Sequence, residues 1–444
     1  MTTGATWPAS PRPAFERTPL PARLCNPGRL IETLERRGMD GIVSYLRPNV
    51  LYLSGFAPPA SASVHETNGY AAVVISRHAP EAPVLVVAEF DLAHVLAQPS
   101  WVDDVRPYAT LLTPLDVSWG PAPLDRFVPA GLLATGRAQR ARRHHAPSLV
   151  EAVRRAMGDL GLVRATVGFD DLRFAAAVAG PDVRVVDAYG ALKHVRQVKT
   201  PEEVHLLREA TRLNQAAIER AVATWSRGMT WADMTRTYHT TAVALGGFVR
   251  DPGAIVMANA PDAGAVLCTQ SGLEDFVLEP GLHVMWDCHG TWAHYCWDGG
   301  KTWIVDGEPQ GPARHIAAAT TIAMHEIQAA LRPGAALSQL QGAGRKGLRR
   351  AGLSDPDRAF IFFHGLGLEH IDMEVPASHH DWALEEGMVV SAHLQVPGDA
   401  RHRSWLEEIF LVTRDGGDPF FTWGNDPIAG GATGTPRQER GLRY

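Results

Sequence analysis

Short apolar runs alternate with helical apolar periods along the whole chain. Residues 29–42 (RLIETLERRGMDGI) place apolar side chains at helical spacing and predict a helix ending at Gly38. GIVSYLRPNVLYLSGF predicts two short strands broken at Arg47-Pro48-Asn49. Further strands are expected at 71–76 and 83–90, and helices at 149–161 and 171–180. The proline-rich stretch 107–135 has no clear period and reads as an irregular insertion. At 199–203, Thr200 can cap, Pro201 opens and Glu202 and Glu203 favour the positive end of a helix running to about Trp225. Helices near 231–245, 314–331 and 337–351 then interleave with strands around 253–257, 283–287, 301–305, 360–364, 388–395 and 407–413. This pattern predicts an extended arm over 1–24, an α/β domain over 25–195 and a second α/β half over 196–444.

Composition narrows the classes. The 444 residues are 45% hydrophobic and 20% charged, the balance of a globular chain rather than a disordered one. A net charge of −6 gives no basic surplus for nucleic acid or an anionic membrane. No apolar run reaches the ~18–20 residues of a membrane helix. The four cysteines are too sparse for a disulfide framework, which fits a cytoplasmic enzyme with reduced thiols. No GxxxxGK[ST] or GxGxxG phosphate loop occurs. Nineteen histidines are the one unusual count, and imidazole is the commonest metal ligand.

Metal chemistry is concentrated in the second half. Asp287 in VMWDCHG, Asp298 in HYCWDGGKT, His364 in FIFFHGLGLEH, His393 in LEEGMVVSAHLQVPG and Glu407 in WLEEIFLVT each lie in or at the end of a strand-like run. Carboxylates beside imidazoles at strand ends can hold one or two divalent ions. Any one of them alone reads equally as a turn residue, a helix cap or a core histidine.

In order, these segments resemble the pita-bread-fold enzymes: creatinase, prolidase, aminopeptidase P and methionine aminopeptidase. RPNVLYLSGF resembles the N-terminal domain of the creatinase and prolidase branch, VRQVKTPEEVHLLREA its linker helix and RGMTWADM the turn after it. WDCHGTWAHYCWDGGKTW resembles the paired-aspartate hairpin with its eleven-residue spacing, and HGLGL, EEGMVVSAHLQVPG and LEEIFLVT the later motifs. The resemblance implies a creatinase-like N-terminal α/β domain and a pita-bread catalytic domain, tending to form a homodimer. It implies Asp287 as ligand of one metal, Asp298 and Glu407 as bridges and His364 as ligand of the other. Glu407 is preferred to Glu408 because it lies six residues before Thr413, which leaves Glu408 outside the ligand set or solvated.

The departures mark a divergent member. His393 stands where the family has a glutamate ligand, and a set of two imidazoles and two carboxylates favours iron, zinc or manganese. MANAPDAGAVLCTQ lacks the expected substrate-side histidine, and Trp405 stands where the peptidases often carry arginine. GLEHIDMEVP is about two residues longer than the family's His-Glu segment, so His370, Asp372 and Glu374 are the candidates for proton transfer. The resemblance implies a metal-dependent hydrolase of a C–N bond in a small molecule or short peptide. The alternatives are a lyase of the same fold, similar to dimethylsulfoniopropionate lyase, and a non-catalytic binding protein. Trp286, Trp292, Tyr295, Trp297 and Trp303 surround the aspartates and are read as core or as a face for a cationic substrate.

Overall fold

A computed structural model describes residues 20–21, 23–59, 68–97, 100–110, 124–259, 266–268, 275–375, 381–397 and 402–431. Most of the expected 1–24 arm, residues 111–123 of the expected insertion, and 260–265 and 269–270 of MANAPDAGAVLCTQ lie outside the described residues.

The first half is built on a six-stranded mixed sheet in the order β4-β3-β2-β1-β5-β6. Its strands are β1 (Gly41–Leu46), β2 (Asn68–Ser76), β3 (Val84–Ala88), β4 (Asp104–Tyr108), β5 (Thr166–Phe169) and β6 (Arg184–Asp187). The helix Pro27–Arg36 starts at an Asn26 cap and stops where Gly38 takes φ +65°. One expectation is corrected here. The apolar run after Arg47 is the helix Arg47–Ser54, not a second strand. Pro48 sits in its first turn and Gly55 closes it in the left-handed conformation, and Val50, Leu51, Tyr52 and Leu53 are all buried. An apolar run buried on every side carries no period to separate helix from strand.

The helix Pro201–Ala223 carries a reciprocal cap, with Thr200 and Glu203 each accepting from the other's backbone. It leads into a ten-stranded sheet whose main path is β12-β13-β14-β11-β9-β7-β8. The strands are β7 (Phe248–Asn259), β8 (Val266–Cys268), β9 (His283–Trp292), β10 (Tyr295–Trp297), β11 (Gly300–Val305), β12 (Phe360–Gly365), β13 (Val389–Val396) and β14 (Ser404–Thr413). The short β15 (Gly416–Pro419) pairs with β14, and β16 (Ile428–Gly430) runs parallel to β11. Helices Pro312–Ala330 and Leu337–Arg350 pack on β12, β13 and β14 through Ile316, Met324, Ile327 and Leu340.

One core cluster joins the two halves, with Leu34, Val50, Leu192 and Val195 packing in the same mass as Leu206, Leu366 and Ile409. Burial of this size is the main driving force holding the halves together. Trp286, Trp297 and Trp303 are fully buried beneath the helix Trp231–Ala244 and the sheet, and Tyr295 is fully buried too. These four aromatics are therefore core, and Trp292 alone of the five is partly exposed.

Candidate metal centre

Strand register assembles the centre. Between β13 and β14, His393 lies directly opposite Glu407. Between β12 and β13, Phe362 faces His393 and His364 faces Ser391. Because side chains alternate along a strand, Phe362, His364, Ser391, His393 and Glu407 all stand on one face of the sheet. On the other side of β14, Gly300 of β11 is opposite Glu407, which brings Asp298 to the same place. Gly300 is required there, since a Cβ on it would lie 2.5 Å from the Trp286 carbonyl oxygen.

The eleven-residue aspartate spacing has a simple origin. β9 and β10 pair with Trp292 opposite Tyr295 and Gly290 opposite Trp297. Ala293 and His294, at φ +48° and +71°, make the two-residue turn between them. One further step of that register sets Asp298 opposite His289, two residues from Asp287 on the same face of β9.

Asp298, His364, His393 and Glu407 are all buried, and their ligand atoms lie within 4.8 Å of one another. His364 Nε2 is 3.4 Å from Asp298 Oδ2, and His393 Nε2 is 2.9 Å from Glu407 Oε1. These side chains are held from behind. His364 Nδ1 donates to the Gly365 carbonyl at 3.1 Å, which turns Nε2 toward the cluster. Ser391 Oγ donates to Glu407 Oε1 at 2.5 Å. The His393 ring stacks on Phe362 at 3.8 Å, with Trp405 edge-on at 5.6 Å. Trp405 thus packs against His393 where a peptidase arginine was expected.

Burial, reinforced by the Glu407 charge, pushes the Asp287 and Asp298 carboxyls up. Burial, then the neighbouring histidines, pushes His364 down to about 3, which keeps it neutral and able to ligate. Burial opposes the shifts of Glu407 and His393, but their mutual contact outweighs it and holds Glu407 low and His393 high. Asp298 Oδ2, Glu407 Oε2 and Asp287 Oδ1 are buried without a hydrogen-bond partner. Repelling carboxylates with orphaned oxygens, beside a neutral imidazole, form a donor set that fits a divalent cation.

The other expected residues separate. Asp287 lies at the edge of the cluster and reaches it through His289, whose Nε2 is 3.2 Å from Asp287 Oδ1 and 3.0 Å from Asp298 Oδ1. Burial works against charge on His289, yet its contacts with both aspartates carry it up to about 11. His370, half-exposed, lies 3.5 Å from Asp298 Oδ2. Asp372 and Glu374 are not brought to the cluster. Asp372 is fully buried between Arg196 and Lys199, at 2.6 and 3.3 Å. Glu374 pairs with Arg37 of the first half at 2.6 Å. Glu408 points to the opposite face from Glu407 and accepts from the Ile409 and Phe421 backbone amides. His289 is the residue that sequence reasoning missed. The period-2 alternation of VMWDCHG, which puts it on the face of Asp287, was the available signal.

Residues 205–414 match the profile of Metallopeptidase family M24, and residues 28–198 match that of the Creatinase/Prolidase N-terminal domain. An uncharacterized peptidase of Staphylococcus aureus (strain USA300) is 28% identical over 229 residues, covering 51% of this chain and 62% of the relative. The chain thus spans about three-fifths of the length of the curated relatives it matches. The Xaa-Pro dipeptidase from Bacillus anthracis superposes with a TM-score of 0.64 at 18% identity, over 90% of this chain and 98% of that one. The X-Pro aminopeptidase from Thermotoga maritima gives 0.61 at 17% identity, over 91% and 99%. The fold is therefore the two-domain creatinase/prolidase architecture with a pita-bread C-terminal half. With both profiles in their order and that fold beneath them, the chain is a divergent member of the pita-bread-fold creatinase/prolidase family, its second half matching Metallopeptidase family M24.

Proposed function

We propose that the chain is a metal-dependent hydrolase of a peptide, amide or amidine-like C–N bond in a small substrate. The observation that carries this reading is the buried Asp298–His364–His393–Glu407 cluster with its orphaned carboxylate oxygens, inside the M24 match. Asp287, Asp298, His364, His393 and Glu407 would hold one or two divalent ions, with His393 in the place of the family's glutamate. Two imidazoles in the set favour iron, zinc or manganese over magnesium or calcium. A bound ion there supplies Lewis acidity and an activated water at neutral pH. The chain's own part is to fix the ligands: Ser391 orients Glu407, Gly365 orients His364, and Phe362 and Trp405 lock the His393 ring. A substrate would reach the cluster from the side of the half-exposed His370.

We also propose a domain boundary at 195/196, a cytoplasmic setting and a homodimer. No described helix is long and apolar enough to cross a membrane. Val243, Leu245 and Phe248 expose apolar surface at one end of the second half, which suits a subunit contact. Light scattering of the purified chain checks the dimer.

The activity is tested by loading the metal-free chain with Zn²⁺, Mn²⁺ or Fe²⁺ and assaying a panel of Xaa-Pro dipeptides beside dimethylsulfoniopropionate. Release of free amino acid, abolished by Asp298→Ala, supports the hydrolase. Acrylate release from dimethylsulfoniopropionate with no peptide cleavage overturns it in favour of a lyase. Turnover of neither substrate by metal-loaded protein removes peptide hydrolysis.

A further inference from the structure

The family resemblance leaves His289 outside the metal site and gives His370 a proton-transfer role. The geometry points elsewhere. Two donor atoms held about 2.1 Å from one ion, at tetrahedral or octahedral angles, lie ~3.0–3.4 Å apart. His289 Nε2 is 3.0 Å from Asp298 Oδ1 and 3.2 Å from Asp287 Oδ1, and His370 Nδ1 is 3.5 Å from Asp298 Oδ2. These separations match those in the four-residue cluster, 3.4 Å for His364 to Asp298 and 2.9 Å for His393 to Glu407. The ligand atoms of His289, Asp298 and His370 also lie within 4.8 Å of one another.

Asp287 Oδ1 and Asp298 Oδ2 are buried and accept no hydrogen bond, although imidazole nitrogens stand 3.2 and 3.5 Å away. Nitrogen and oxygen donors at these separations can converge on one ion. The His289 and His370 rings stand 4.6 Å apart at 88°, close enough to serve one ion from two directions. Register explains why both can arrive. β9 carries His289 opposite Asp298, and the segment after β12 brings His370 over from the other side.

We propose that His289 and His370 ligate the ion shared by Asp287 and Asp298, giving it a set of two imidazoles and two carboxylates. With His364 and His393 on the neighbouring ion, the centre becomes a four-histidine dinuclear site bridged by Asp298. Such a set favours iron, zinc or manganese over magnesium or calcium at both positions. It also takes His370 out of general-base service. The inference rests on the metal centre proposed above and assigns two further ligands to it.

The test uses Zn²⁺ as probe and reads binding rather than turnover. The full chain is stripped with chelator, titrated with Zn²⁺ by calorimetry, and its bound metal counted by elemental analysis. The wild type is expected to hold two ions per chain. The double variant His289→Ala/His370→Ala is expected to keep one ion at unchanged affinity and to bind the second at least about 100-fold more weakly. Two ions of unchanged affinity in the double variant overturn the inference and leave the proposed centre intact. A wild type that holds a single ion overturns it too, with His289 then occupying the second place as a counter-charge. No bound ion in the wild type overturns both this inference and the proposed centre. If circular dichroism shows the double variant unfolded, His370→Ala, at a half-exposed position, is read instead. A loss of at least tenfold at the second ion supports the inference, and no loss overturns it.

Discussion

Asp372 offers the sharpest separation between a structural and a catalytic reading of the segment after β12. Its carboxylate is fully buried and takes charge-assisted contacts from Arg196, at 2.6 and 2.9 Å, and from Lys199 at 3.3 Å. It also accepts from the Leu368 amide at 3.0 Å. Arg196 is itself fully buried and contacts Glu369 and Asn49, so the network ties the linker to both halves. Burial alone would raise the Asp372 carboxyl, and Arg196 and Lys199 hold it below the usual range instead. Replacing Asp372 with Ala strands two buried cations. Breaking a buried pair by removing one partner costs about 3–5 kcal/mol, much of it the desolvation of the charge left behind. The matched control is Glu374→Ala, whose ion pair with Arg37 is about one-third exposed on each side. Such pairs contribute under ~1 kcal/mol. Thermal melts of metal-loaded protein at pH 7 should therefore show Asp372→Ala lower by about 3–5 °C and Glu374→Ala by ~1 °C or less. Bound metal per folded chain should be unchanged in both. Equal small shifts would refute the clamp, and loss of metal at unchanged melting temperature would return Asp372 to the active centre.

Three further outcomes follow from the same structure. His393→Glu restores a carboxylate at the ligand position, so it should keep an ion but lower the Zn²⁺ over Mn²⁺ affinity ratio at least about tenfold, read by competition calorimetry. Gly290→Ala puts a Cβ 2.0 Å from the Trp297 ring and should cost at least about 2 kcal/mol by chemical denaturation. Glu203 is pushed by burial from 4.5 up to about 7, so the folded state holds its proton between those values. Its stability contribution is complete below pH 4.5 and is lost as pH rises through 7. Glu203→Gln should therefore flatten the stability decline between pH 4.5 and 7 by up to roughly 3 kcal/mol, measured as denaturation midpoints against pH.

Much of this was legible because strands and their chemistry repeat locally. Asp298, His364, His393 and Glu407 were visible as metal-capable residues on strand-like runs, and the structure converges all four. The Thr200 cap was legible for the same reason, and the structure adds the reciprocal bond to Glu203, three residues away. What stayed hidden depended on distance or on burial. Asp372 pairs with cations 173 and 176 residues away, and Glu374 with one 337 residues away, which no local pattern encodes. The tryptophans beside the aspartates resemble a substrate cage in one dimension, but Trp286, Trp297 and Trp303 turn into the core. The run after Arg47 misled because full burial erases periodicity, although Pro48 and Gly55 marked both ends of a helix. His289 lay in plain view on the face of Asp287, inside the paired-aspartate hairpin but given no role by the resemblance.

The central claim is that His393 has taken over a ligand position in a working metal centre. Anomalous diffraction at the zinc edge from Zn²⁺-loaded crystals tests it directly. The account predicts a peak ~2.0–2.2 Å from His393 Nε2, His364 Nε2 and oxygens of Asp298 and Glu407. A peak with His393 turned away from it, or no peak among these four residues, would contradict it.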